Sequence, residues 1–224
     1  MRRVASFAAA GLLAVPLLWA QAGPPREKGP FRKAELLELA KLDPSLHLDV
    51  RYASSRNFLG RPVYDEARVF LQRPAALAVL RAQQALKPRG FGLLVFDGYR
   101  PWSVTKLFWE LTPADKHAFV ADPREGSKHN RGCAVDISLY DLGSGAEIEM
   151  PSAYDEMSER AAARYAGGTS EQRARRDLLR AALEHEGFRV NPTEWWHFDY
   201  KDWRHYAIFD VPFSALGETA RPRP

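Results

Sequence analysis

Cysteine is almost absent from this 224-residue sequence, with Cys133 the single example. One thiol excludes an internal disulfide and a zinc site closed by several cysteines. Strong charge of one sign is missing too. The formal net charge is +4, Arg2 and Arg3 supply two of those units, and the balance is too mild to indicate a nucleic-acid partner. The densest basic cluster, Arg173-Ala174-Arg175-Arg176, has Glu171 and Asp177 beside it and reads as a solvated helix face. There are no internal repeats. No His-Glu-x-x-His occurs, because His185-Glu186-Gly187-Phe188-Arg189 lacks the second histidine, and no Gly-x-Ser-x-Gly supports a serine hydrolase.

Apart from the start, long apolar runs are also lacking. Met1-Arg2-Arg3, the run Val4 to Ala20 and the small-x-small triplet Ala20-Gln21-Ala22 have the three parts of a secretory signal, with cleavage expected after Ala22. An uncleaved membrane anchor is the rival, and Pro16 and the short run favour the signal. The expected product is an exported bacterial protein, periplasmic or secreted, with no stable membrane insertion once the signal is removed. No lipid-attachment cysteine follows the signal.

With 46% apolar residues the chain can bury one core. Residues 23–42 read as a linker and N-terminal segment, rich in proline and glycine at its start; 43–210 read as one domain and 211–224 as a frayed tail. Within the domain, Leu46 to Tyr52 alternates as a short strand, and Pro74 to Leu86 has helical spacing ended by Pro88 and Gly90. Phe91 to Phe96 suits a central strand buried on both faces. The next helix places Val104, Leu107, Phe108 and Leu111 on one side. Ala134 to Tyr140 alternates as a strand and is expected to turn at Asp141 to Ala146 into a return strand, Glu147–Met150. A helix from about Glu171 to Glu186 stops at Gly187, and Trp195 to Tyr200 is the last strand. The expected class is α+β: a single domain whose antiparallel or mixed central sheet is flanked by helices.

The stretch that organises the chemistry is Ser127 to Asp136. Gly132 lets the backbone bend, Asp136 falls on the polar face of the strand, and His129 sits on the preceding turn. A hydrogen-bonded pair is one reading of His129 and Asp136; two legs of a metal site is the other. His197 is the candidate third leg. Two histidines and one carboxylate suit zinc with a fourth position open. Glu194 and His197, three apart, would face opposite ways on a regular strand, so both reach one site only if the strand begins after Glu194. Cys133 is expected to be a buried hydrophobe rather than a ligand. His47, His117 and His205 have no partner at ligand spacing, and His185 sits near a helix C-terminus.

Ser127, His129, Gly132, Ala134 and Asp136, read as Ser-x-His-x-x-Gly-x-Ala-x-Asp, followed by Glu194, Trp196 and His197 as Glu-x-Trp-His, resemble the zinc D-alanyl-D-alanine dipeptidase family of the VanX type. The resemblance covers roughly residues 43–210. It includes Tyr52-Ala53 with Asn57 to Tyr64, and an arginine motif, Asp97-Gly98-Tyr99-Arg100-Pro101. It implies one Zn2+ per chain held by His129, Asp136 and His197, Glu194 as the catalytic base, and Arg100 as the cation that stabilises the transition state. It also implies a small dipeptide substrate, D-Ala-D-Ala, whose ammonium is held by an acid; Asp155 takes that place. Here the pattern departs, with Pro151-Ser152 and Tyr154 where the family has Gly-Thr and Phe. A solvent-exposed helix-entry residue is the alternative for Asp155, and an ion-paired surface arginine the alternative for Arg100. Ser127 and Tyr52 either line the pocket or hold turns. The rival activities are a D,D-carboxypeptidase or peptidoglycan endopeptidase with the same zinc chemistry, and a non-catalytic, zinc-stabilised wall-binding module.

Overall fold

A computed structural model describes residues 23–216. The signal reading of residues 1–22 and the end of the tail, 217–224, lie outside the described residues.

Phe91–Asp97 (β4) takes an interior position in the main sheet because its near-continuous apolar run can be buried on both faces. Ala134–Asp141 (β5) lies antiparallel beside it, with Leu93 opposite Leu139 and Val95 opposite Ile137. Glu194–Tyr200 (β7) pairs antiparallel with β5, and Phe188–Asn191 (β6) closes that edge. On the other edge the two-residue strand His47–Leu48 (β2) runs parallel to β4. The order β2-β4-β5-β7-β6 makes the sheet mixed. A second, two-stranded sheet joins Leu36–Glu38 (β1) to Phe70–Gln72 (β3), and the single turn Leu39–Leu42 (α1) follows β1.

Arg73–Leu86 (α2) and Ser170–His185 (α4) pack against each other and onto the main sheet. α2 buries Ala75, Ala76, Val79, Ala82 and Leu86, and its buried Gln83 accepts the Leu93 N–H at 2.6 Å, locking helix to strand. Thr169 and Gln172 form a reciprocal cap that starts α4. Trp102–Leu111 (α3) follows β4 directly. Among the described residues no helix is long and apolar enough to cross a membrane.

The α+β class, the single core and the interior, two-faced burial of β4 agree with the sequence reading; several local expectations do not. The Leu46–Tyr52 strand contracts to β2, because the chain turns into a 3-10 helix at Arg51–Ala53. The return strand Glu147–Met150 is reduced to one bridge, Tyr140 to Glu147. α3 buries Trp102, Thr105 and Phe108 while Leu111 is exposed. Arg176 of the basic cluster turns inward and donates to the Tyr165 carbonyl at 2.7 Å, so that face is only partly solvated. Residues 23–35 have no regular element but run along the domain: Arg32 N–H donates to the His205 carbonyl at 2.8 Å, and its guanidinium pairs with Asp202. At the other end Phe213 is buried against Tyr64 and Phe70, so the described part of the tail is packed rather than frayed.

Candidate metal centre

His129, Asp136 and His197 converge, each offering one ligand atom within 4.8 Å of the others, and all three are buried. Asp136 and His197 are cross-strand partners on β5 and β7, which places their side chains side by side on one face. His129 arrives from a 3-10 turn, His129–Arg131, that Gly132 ends at φ 65°. A Cβ on Gly132 would stand 2.4 Å from Leu36 Cδ2, so both backbone conformation and space require glycine there.

The donor atoms are fixed by what their other ends touch. His129 Nδ1 donates to the Gly98 carbonyl at 2.6 Å, which leaves the Nε2 lone pair facing the site. His197 Nε2 donates to Asp199 Oδ1 at 2.9 Å, which leaves Nδ1. Those two nitrogens lie 3.1 Å apart, and Asp136 Oδ1 is 3.3 Å from the first and 3.1 Å from the second. Asp136 Oδ1 is buried and accepts no hydrogen bond. With both rings neutral, this buried carboxylate oxygen would face two imidazole lone pairs, which is costly, and either a proton on His197 or a divalent cation removes that cost. Two nitrogens and one carboxylate oxygen, open on one side, are the donor set of a zinc site with an exchangeable position. Cys133 is buried but is not among these ligands, and burial pushes its thiol up to about 12.

Burial alone would push His197 down, but the carboxylates of Asp136 and Asp199 outweigh it and raise its pKa to about 10. For Asp136 the balance tips the other way. Burial disfavours its charge, and the two imidazoles overcome that and hold it below the usual carboxylate range.

Glu194 Oε2 lies 3.7 Å from His197 Nδ1 and accepts from Asn191 Nδ2 at 2.9 Å. The strand begins at Glu194, not after it. Glu194 and His197 share the site because the β6–β7 register breaks: Val190 faces Phe198 while Asn191 faces Glu194, so strict alternation fails across Trp195 and Trp196. Burial, reinforced by Asp136, raises the Glu194 pKa.

A cavity of about 240 Å³ opens onto these groups and is also lined by Tyr52, Arg100, Ser127 and Asp155. Arg100 is buried, and its Nε and Nη2 donate to Asp97 Oδ2 at 3.0 and 2.7 Å. It is thus ion-paired, but inside the cavity wall, with Nη2 3.7 Å from Asp136 Oδ2. Asp155 begins no helix. Its Oδ1 accepts from the Tyr52 hydroxyl at 3.0 Å, and its Oδ2 is buried without a partner. Burial and the charge of Asp136 raise its pKa well above the usual range. Ser127 lines the cavity, and its Oγ accepts the His129 N–H at 3.2 Å.

Asp97, Asp199 and Tyr154 also support the site, though the sequence motifs give them no role in it. Tyr154 donates to Asp136 Oδ2 at 3.2 Å and stacks on Phe96. The only signal for it was the tyrosine that breaks the family pattern. For Asp97 and Asp199 the signal was a carboxylate placed three residues from Arg100 and two from His197.

A mixed-sheet domain holding a buried His-Asp-His cluster beside a glutamate, on the wall of a small cavity, has the parts of a metal-dependent hydrolase. Residues 32–214 match the family profile described as D-ala-D-ala dipeptidase. The chain belongs to this family and is a metallopeptidase. It is 32% identical over 182 residues to a D-alanyl-D-alanine dipeptidase of Escherichia coli, covering 81% of this chain and 93% of that protein. Another D-alanyl-D-alanine dipeptidase, from Enterococcus faecalis, is 34% identical over 196 residues, with 77% and 92% covered. Among solved structures, VanYB in complex with D-alanine-D-alanine aligns at a TM-score of 0.39 and 17% identity, covering 60% of this chain and 77% of that one.

Proposed function

We propose that this chain is a zinc-dependent dipeptidase that hydrolyses D-alanyl-D-alanine, or a close D,D-dipeptide, to free amino acids. The observation that carries the reading is the buried, unpartnered Asp136 Oδ1 facing two imidazole nitrogens, with Glu194 at the edge of the same cavity. His129 Nε2, Asp136 Oδ1 and His197 Nδ1 would hold zinc, which would supply Lewis-acid polarisation of the scissile carbonyl and a more acidic water.

The chain's own residues do the rest. The Glu194 carboxylate takes the proton of the attacking water and passes it to the departing amine, and its raised pKa brings it nearer the range that suits this exchange. Arg100, pinned by Asp97, holds a permanent positive charge where the oxyanion develops. Asp155 Oδ2 receives the ammonium of the dipeptide, and Tyr52 fixes the other carboxylate oxygen. A buried carboxylate oxygen without a partner in the cavity favours a substrate with a free amino terminus over a D,D-carboxypeptidase or endopeptidase acting on long peptides. Export through residues 1–22, and with it a periplasmic or secreted location and a peptidoglycan source of substrate, belongs to this proposal and is supported by the sequence pattern alone.

The test is release of free D-Ala by the purified chain. Turnover should vanish on chelation, return with zinc, and be lost in Glu194→Gln. Unchanged turnover after metal removal and in that variant would overturn the reading.

A further inference from the structure

Arg131 is a buried cation two residues past His129, and the chemistry above gives it no task. Its guanidinium lies over the Trp203 ring, 5.3 Å from the centroid, and donates Nη1 to the Tyr206 carbonyl. Its carboxylate partner is Glu27, in the irregular N-terminal segment ahead of the family match at 32–214. Nη2 meets Oε1 of Glu27, and Nη1 lies 3.3 Å from Oε2. The same Oε2 accepts the backbone N–H of Ile208 at 2.9 Å.

Ile208 presses on the other end of the metal-bearing turn. A Cβ on Gly126 would come within 2.3 Å of Ile208 Cδ1. Next to it, Phe209 N–H donates to the Asn130 carbonyl at 2.9 Å. Residues 206–209 are therefore laced to the turn at both Asn130 and Arg131, and Glu27 fastens the two partners at once. Without Glu27 the guanidinium would be a buried charge with no carboxylate, and the simplest relief is to swing the turn outward. His129 rides on that turn, and a zinc–nitrogen bond of about 2.0–2.1 Å tolerates little displacement.

We propose that Glu27 is a positioning residue for the metal centre, acting through Arg131 and Ile208, so that the segment ahead of the matched region is a working part of the enzyme. The inference rests on the zinc reading, and one arm of its test does not. In the full-length chain, zinc affinity is measured by competition with a chromophoric chelator for wild type, Glu27→Ala, Glu27→Gln and a deletion of residues 23–29. About tenfold weaker zinc binding is expected for Glu27→Ala and for the deletion. The loss should be smaller for Glu27→Gln, which keeps an acceptor for Ile208. In an Arg131→Met background, Glu27→Ala should add little. In the metal-free chain, amide exchange of residues 128–132 should be faster in Glu27→Ala than in wild type, and this arm stands even if wild type binds no zinc. Wild-type zinc affinity in Glu27→Ala and the deletion, with only a lower melting temperature, would overturn the proposal. So would unchanged exchange in the turn.

Discussion

Asp199 Oδ1 sits 2.9 Å from His197 Nε2, on the side of the ring turned away from the metal site. Its other oxygen lies 3.5 Å from the Lys128 ammonium. The carboxylate therefore fixes the ring and makes Nδ1 a stronger donor, and Lys128 keeps that carboxylate in place. Asp199→Ala should weaken zinc binding about 10–100-fold while leaving the fold intact, by chelator competition and circular dichroism. Lys128→Ala should have a much smaller effect, because this partly exposed pair is screened by solvent.

Metal-free protein should respond to pH through His197. Its folded pKa, about 10, exceeds the ordinary value of 6.5 because Asp136 and Asp199 favour the protonated ring. Stability from this group is thus fully present below about pH 6.5 and lost as pH rises through about 10. Zinc must displace that proton. The melting-temperature difference between zinc-loaded and metal-free protein should therefore widen between pH 7 and 9, and calorimetric titration in buffers of different ionisation enthalpy should show proton release at pH 7.

The site was more legible than the scaffold around it, for physical reasons. Metal chemistry restricts residue type at each ligand position, so His129, Asp136, His197 and Glu194 stand out in sequence. Asp97, Asp199 and Glu27 act through geometry, and a carboxylate two, three or a hundred residues from its partner looks like any other. β4 could be read because burial on both faces demands an apolar run, whereas β1, β2 and β3 are two or three residues long and carry no periodicity to detect. The break between Val190 and Asn191 that lets Glu194 join His197 is a register event between strands. Neither strand's own sequence contains it.

Glu194→Gln should lower kcat about 10²–10⁴-fold with zinc content unchanged, because the amide keeps the shape of the carboxylate but takes no proton from water. Metal analysis of the same preparation separates this from loss of the site.

Asp97 closes the β4 end of the cavity: its Oδ2 accepts twice from Arg100, and its Oδ1 accepts from the Tyr64 hydroxyl at 2.9 Å and from the Gly98 N–H at 2.8 Å. Asp97→Ala removes both carboxylate hydrogen bonds of the buried Arg100 guanidinium, leaving only Asp136 Oδ2 at 3.7 Å, and should cost about 3 kcal/mol in urea unfolding. Arg100→Met is milder for stability, since Asp97 keeps two of its donors, yet it should depress kcat strongly. Opposite rankings of the two variants in stability and turnover would identify Asp97 as the support and Arg100 as the working group.

Asp155 is the one non-glycine described residue with positive φ, at 62°, and it holds a buried oxygen without a partner. Both features oppose folding. Left-handed backbone costs an ordinary side chain about 1–2 kcal/mol, though less for aspartate, and the orphaned oxygen adds its desolvation. Its carboxyl is raised by burial first and by Asp136 second. Stability present below about pH 4, the unfolded pKa, is therefore lost as pH rises toward the folded value. Asp155→Asn tolerates the same backbone and removes the charge. It should therefore stabilise the metal-free protein by about 1–2 kcal/mol at pH 7 and flatten its stability profile above pH 4, by urea unfolding across pH. The same substitution should raise KM for D-Ala-D-Ala at least tenfold, because an ammonium no longer meets a carboxylate. A variant that gains stability while losing dipeptide binding would mean that the strain at Asp155 is held for the substrate's amino group. Equal cleavage of the dipeptide and of N-blocked peptides by Asp155→Asn and wild type would instead assign the carboxylate to the fold.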